Sequence, residues 1–109
     1  MSEQTGYVYF RDHFAGTLRK VEGRFFFEYD EKYLTDPSMP SISITLPKRL
    51  KKFESDILFP FFYGLLAEGE LKKLQCRLLK IDEKDHFKRL LETAGEDTIG
   101  AITVKKNVA

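Results

Sequence analysis

The stretch Phe59-Pro60-Phe61-Phe62-Tyr63-Gly64-Leu65-Leu66-Ala67-Glu68-Gly69 constrains the fold most, because it is the densest apolar run in the chain. Pro60 suits the first turn of a helix, where its missing N–H would have had no partner. Helical spacing then puts Phe61, Leu65 and Glu68 on one side, with Phe62 and Leu66 beside them. That stripe is expected in the core. Tyr63 falls roughly opposite Phe61 and Leu65, so it need not be buried. Gly69 can close such a helix in the left-handed region.

Before this run the chain reads as strands. Tyr7 to Phe10 is aromatic and β-branched, Arg11-Asp12-His13 is turn material, and Ala15 to Val21 makes a second strand. Glu22-Gly23 signals a tight turn, and Arg24 to Tyr29 follows as a third strand. In it Phe25, Phe27 and Tyr29 share one face, while Phe26 and Glu28 point the other way. An antiparallel meander with one aromatic face against helices is the simplest product. Asp36 to Pro40 is a loop, and Ser41 to Leu46 alternates polar and apolar, which predicts a half-buried strand ended by Pro47.

After the central run, Glu70 to Ile81 reads as a helix with Leu71, Leu74, Leu78 and Ile81 as its apolar stripe. Lys73, Arg77 and Lys80 give the same helix a basic face. Cys76 falls off the stripe and reads as a small buried hydrophobe. Asp82 or Asp85 can cap a third helix whose buried face is Phe87, Leu90, Leu91 and Ala94, with Gly95 as terminator. Glu96-Asp97-Thr98 is a turn, and Ile99 to Val104 is a last strand. The fold expected is α+β, an antiparallel sheet of about four or five strands with about three helices packed on one face. Residues 1–109 are expected to form a single domain, with an ordered core over 5–104 and a polar tail over 105–109.

Charge and cysteine content narrow the partners. The formal net charge is +1, which weighs against a general polyanion binder. One cysteine permits no internal disulfide, the N-terminus has no signal-peptide pattern, and no stretch approaches the roughly 20 apolar residues of a membrane span. A cytoplasmic location is expected.

Four patterns, in order along the chain, resemble the N-terminal subdomain of HipA-type toxin kinases. The first is Gly16-x-Leu18, then Phe27-x-Tyr29-Asp30 with Tyr33-Leu34, and the second is Ile42-Ser43 followed by Leu46-Pro47. The third is Pro60-Phe61-Phe62 with Leu65-Leu66 and Glu68-Gly69. The fourth is Asp85-x-Phe87 and Leu90-Leu91, then Gly95-x-Asp97-x-Ile99-Gly100-Ala101-Ile102. Where that family usually has proline this chain has Ala67, which removes a rigid element before Glu68-Gly69.

No catalytic constellation stands beside this resemblance. The chain has no phosphate-cradling glycine loop and no kinase catalytic motif, and His13 and His86 lack metal-ligand spacing. His86 beside Asp85 could form a polar pair, but Asp85 is expected to act as a helix cap. In the kinases that the chain resembles, ATP binding and phosphoryl transfer belong to elements that follow this subdomain. The resemblance therefore implies a non-enzymatic part, with no cofactor and no metal.

The form it implies is free-standing, similar to HipS of the three-part HipBST toxin–antitoxin systems. Its partners would be a HipT-like kinase toxin, which it would neutralise, and a HipB-like DNA-binding protein. Tyr63 is the expected anchor in the kinase, flanked by Glu68, Gly69 and Lys72, although it could instead pack on a neighbouring loop. Two alternatives stay open. One is a non-inhibitory accessory or structural domain split from a kinase. The other is a nucleic-acid-binding module using Lys48-Arg49-Leu50-Lys51-Lys52 and the Lys73, Arg77, Lys80 face.

Overall fold

Three strands joined by tight turns form the centre of the fold. β1 (Glu3–Phe10), β2 (His13–Val21) and β3 (Arg24–Tyr29) pair in antiparallel register, with Phe10 opposite His13 and Val21 opposite Arg24. Each connection is a two-residue turn. In the second, Glu22 and Gly23 both take positive φ, the combination whose twist matches that of the flanking strands. Residues 3–95 and 101–106 are described by this computed structural model.

β4 (Lys52–Ser55) adds to β3 and β5 (Ile102–Lys105) adds to β1, giving a five-stranded antiparallel sheet in the order β4-β3-β2-β1-β5. Four helices complete the chain: α1 (Glu31–Thr35), α2 (Pro60–Tyr63), α3 (Gly69–Leu79) and α4 (His86–Thr93). The α+β arrangement expected from the sequence is the one observed. Gly16 lies where β2 runs close against the β3 backbone. A Cβ there would sit 2.2 Å from the carbonyl oxygen of Glu28, so no larger residue fits without moving β3.

The core lies on one face of the sheet. Phe27 is fully buried, and its ring meets those of Tyr29 at 4.9 Å, Phe62 at 5.7 Å and Phe53 at 6.3 Å between centroids. α4 closes this layer with Phe87, Leu90 and Ala94 buried and Leu91 packed beside them. Asp85 caps it, its carboxylate accepting from the backbone N–H of Lys88 at 3.1 Å. Phe62 and Leu66 are buried, with Phe61 and Leu65 packed against the same cluster.

Three expectations fail here. Ser41–Leu46 is not a sheet strand. Its backbone turns between Ser43 and Leu46, so Ile42 and Leu46 point inward while Ile44 is 96% exposed. The cause is Tyr29, whose hydroxyl accepts from the N–H of Ile42 at 3.1 Å and donates to the carbonyl of Leu46. Burial raises the pKa of this phenol and holds it as the neutral donor. Gly69, expected to end the first helix, has φ +64 but opens α3. α2 stops at the cap Gly64 after one turn.

The last strand is the third. The described strand is Ile102–Lys105, with Ala101 of the expected 99–104 strand outside it, while residues 99–100 and the expected turn at 96–98 lie outside the described residues. Lys105 thus belongs to the sheet rather than to a tail, and Lys106 pairs with Glu92 at 3.0 Å.

Candidate partner interface

The one-turn helix α2 divides its aromatic residues by direction. Phe62 turns into the core and Tyr63 turns away from it, 42% exposed. Tyr63 is not loose, because its ring meets His86 edge-on at 4.9 Å and 81°. His86 is in turn held by Arg89, whose guanidinium donates to the imidazole Nδ1 at 3.1 Å. The other end of that guanidinium donates to the carbonyl of Ala67 at 2.7 Å. The loop before Glu68-Gly69 is therefore tied by a side-chain bond at the position where proline was expected to stiffen it.

Arg89 is 3% exposed, and among the described residues no carboxylate lies within ion-pair distance of it. A buried guanidinium paired only with neutral acceptors needs those acceptors to stay neutral. His86 conforms. Burial lowers its pKa below the ordinary value of 6.5, the charges of Arg89 and Lys72 lower it further, and Asp85 opposes them. The bond from Arg89 assigns the acceptor role to Nδ1 and the proton of the neutral ring to Nε2. Lys72 is thereby placed near this cluster. Glu68 is the exposed residue before α3 and Gly69 its exposed first residue, and the Glu68 side chain makes no cap bond to α3.

The following helix corrects the sequence reading. The predicted stripe of α3 does not face the core: Leu71 is 54%, Leu74 43% and Leu78 69% exposed. Only Cys76 is buried within the helix, and Ile81 is buried just beyond it. Cys76 lies two residues from both Leu74 and Leu78, which at 100° per residue puts it nearly opposite them. Lys80 ends the helix in the left-handed conformation, and the N–H of Ile81 reaches back to the carbonyl of Cys76 at 2.9 Å. This Schellman-type closure tucks Ile81 inward and leaves the leucines outside. A signal was present in the sequence. The helix has an apolar residue on each of two opposed faces, and only one face can meet the core.

Two of the four basic side chains of the cluster at 48–52 are engaged within the chain. The Lys48 ammonium donates to the carbonyls of Asp36 and Met39, both at 2.7 Å, and lies over the Tyr33 ring. Lys51 pairs with Glu31 at 2.8 Å, which raises the lysine pKa. These contacts weaken the nucleic-acid reading of that segment. Among the described residues no group of three or more His, Cys, Asp or Glu side chains could hold a metal ion. No helix among them is long and apolar enough to cross a membrane.

A five-stranded antiparallel sheet with an aromatic core under short helices is the fold of the HipA N-terminal domain family, and the chain belongs to that family. The family's profile matches residues 6–105. A solved N-terminal domain of HipA toxin superposes with a TM-score of 0.72 at 32% identity, over 99% of this chain and 95% of that one. An uncharacterized protein of Haemophilus influenzae is 35% identical over 103 residues, which is 94% of this chain and 92% of that protein. A putative kinase of Sinorhizobium fredii is 33% identical over 97 residues, 83% of this chain but only 24% of that protein.

Proposed function

We propose that this protein is an antitoxin-type partner that binds a HipA-type serine/threonine kinase in trans and neutralises it in the cytoplasm. It has no catalytic activity of its own in this reading. The complex is the three-part kind, with a HipT-like kinase toxin and a HipB-like DNA-binding protein. The observation that carries the reading is Tyr63, an exposed aromatic fixed by His86, Arg89 and Ala67 in a domain of the HipA N-terminal family. A rigid aromatic side chain loses little conformational entropy on docking, and such groups dominate protein interfaces. Glu68, Gly69 and Lys72 flank it as the proposed contact set. The Haemophilus relative, nearly all of which this chain spans, supports a free-standing form.

A second reading has its own support, since the Sinorhizobium relative carries a domain of this kind as 24% of a putative kinase. The chain would then be an accessory domain that docks without inhibiting. Co-expression with a HipA-type kinase lacking its own N-terminal domain separates the two. Restored growth with a stable complex supports neutralisation, and Tyr63→Ala then weakens rescue while thermal unfolding stays within about 1 kcal/mol of the parent. Co-purification without restored growth favours the accessory reading.

A further inference from the structure

We infer that His86 is an acid-sensitive latch on the Tyr63 docking site: on taking a proton at Nδ1 it lets go of Arg89, frees Tyr63 and weakens the hold on the kinase. The inference rests on the function proposed above and adds its regulation. The latch is a series of contacts that crosses three segments. The Tyr63 ring of α2 meets the imidazole edge-on at 4.9 Å, and Nδ1 of that imidazole accepts from the Arg89 guanidinium at 3.1 Å. The far end of the guanidinium donates to the carbonyl of Ala67 at 2.7 Å, in the loop that follows Tyr63.

A proton cannot be added to this arrangement without breaking it. The imidazolium carries hydrogen on both ring nitrogens, so Nδ1 stops accepting and would aim an N–H at an N–H of Arg89. Two cations would then stand at hydrogen-bond distance, and one of them, Arg89, is only 3% exposed. The groups that face His86 do not offset this. Lys72 of α3 has the same sign, Tyr63 of α2 offers a ring, and Asp85 is the opposing charge, its carboxylate already capping α4 at the N–H of Lys88. Among the described residues no carboxylate lies within ion-pair distance of His86 or Arg89. Imidazole and guanidinium therefore part on protonation. An imidazole that swings out removes the ring on which Tyr63 packs, and a guanidinium that withdraws releases the Ala67 loop.

Docking strengthens the link. A partner seated on Tyr63 shields His86 from water, which disfavours the charged ring further. The ring then binds a proton less tightly in the complex than in the free chain, so affinity falls with pH, by at most about tenfold per pH unit for one linked proton. The fall begins below the ordinary value of 6.5, because burial, Arg89 and Lys72 already lower the pKa of His86 in the free chain.

The test measures Kd for a purified HipA-type kinase lacking its own N-terminal domain, at pH 7 and at pH 5. The parent is compared with His86→Gln, whose carboxamide oxygen can accept from Arg89 but takes no proton in this range. The parent is expected to bind about threefold or more weakly at pH 5, and His86→Gln to lose most of that ratio. In NMR of the free parent, the ring protons of Tyr63 and the amide of Ala67 are expected to shift with the midpoint of the His86 ring, a coupling that an isolated histidine would not give. Equal ratios in parent and variant, or a Tyr63 signal that ignores the His86 titration, overturn the latch and leave the proposed function standing. A parent that binds no kinase at either pH overturns both. A parent that loses its circular dichroism at pH 5 also overturns the latch, because release is then global unfolding.

Discussion

Two neighbouring segments, 60–66 and 71–81, carry apolar residues at helical spacing, yet they meet opposite fates. In the first, Phe62 and Leu66 enter the core under Phe27, and of its aromatic side chains only Tyr63 is exposed. In the second, the regular leucine line points to solvent, and one cysteine with the trailing Ile81 makes the inward contact. The first segment yields only one turn of helix and is almost wholly absorbed. The second yields three turns of helix and is barely absorbed at all. Regularity of an apolar stripe therefore measures how well a helix can present a face, not whether this chain contains what covers it. A strong stripe left outside is apolar surface of the kind that marks an interaction site.

The sharpest way to break this comparison is a pair of truncations. Phe62→Ala is expected to cost about 3–5 kcal/mol of unfolding free energy, since the ring is fully buried among aromatic neighbours. Leu78→Ala is expected to stay within about 0.5 kcal/mol of the parent. Chemical denaturation of both variants decides it. Equal losses would mean that α3 is as much a part of the core as α2.

A smaller effect tests what stiffens Tyr63. Arg89→Leu leaves the carbonyl of Ala67 and Nδ1 of His86 without their donor, which is expected to cost about 1–3 kcal/mol. Arg89→Lys should not restore stability, because one ammonium cannot reproduce the two-ended contact of the guanidinium. Ring-proton NMR of Tyr63 would report the freed side chain, and an unaltered spectrum would detach Tyr63 from this support.

The smallest effect is a pH dependence. Because the folded His86 has a lowered pKa, the unfolded chain binds more protons just below pH 6.5. Stability is then complete above 6.5 and declines as pH falls through the lowered value. His86→Gln should flatten that decline in a series of melts between pH 7 and 5. An undiminished slope would assign the titration to other groups.

Much of the sheet was legible in the residues. Gly23 after Glu22, the β-branched and aromatic runs, and the alternation of Phe25, Phe27 and Tyr29 gave three strands and the direction of the core. Asp85 before Phe87, Leu90 and Ala94 gave α4. β4 escaped notice because Lys52 and Glu54 alternate with Phe53 and Ser55, a short charged pattern suited to a sheet edge. Outward placement of Tyr63 was also legible, since it follows from helical spacing even in one turn. Its fixation was not. Arg89 sits on a polar position of α4 by sequence, and only the approach of the Ala67 loop makes it a buried tie.

Local chemistry, then, determined period, turns and caps, because these depend on residues within a few positions of one another. Tertiary structure decided everything that needed a distant partner. The Tyr29 hydroxyl converted an alternating segment into a loop by taking one hydrogen bond from Ile42 and giving one to Leu46, 13 and 17 residues away. The closure of α3 at Lys80 and Ile81 chose Cys76 over three leucines as its inward contact. The sequence could mark two apolar faces on that helix, but burial depends on what stands opposite each face, and only the assembled chain supplies that.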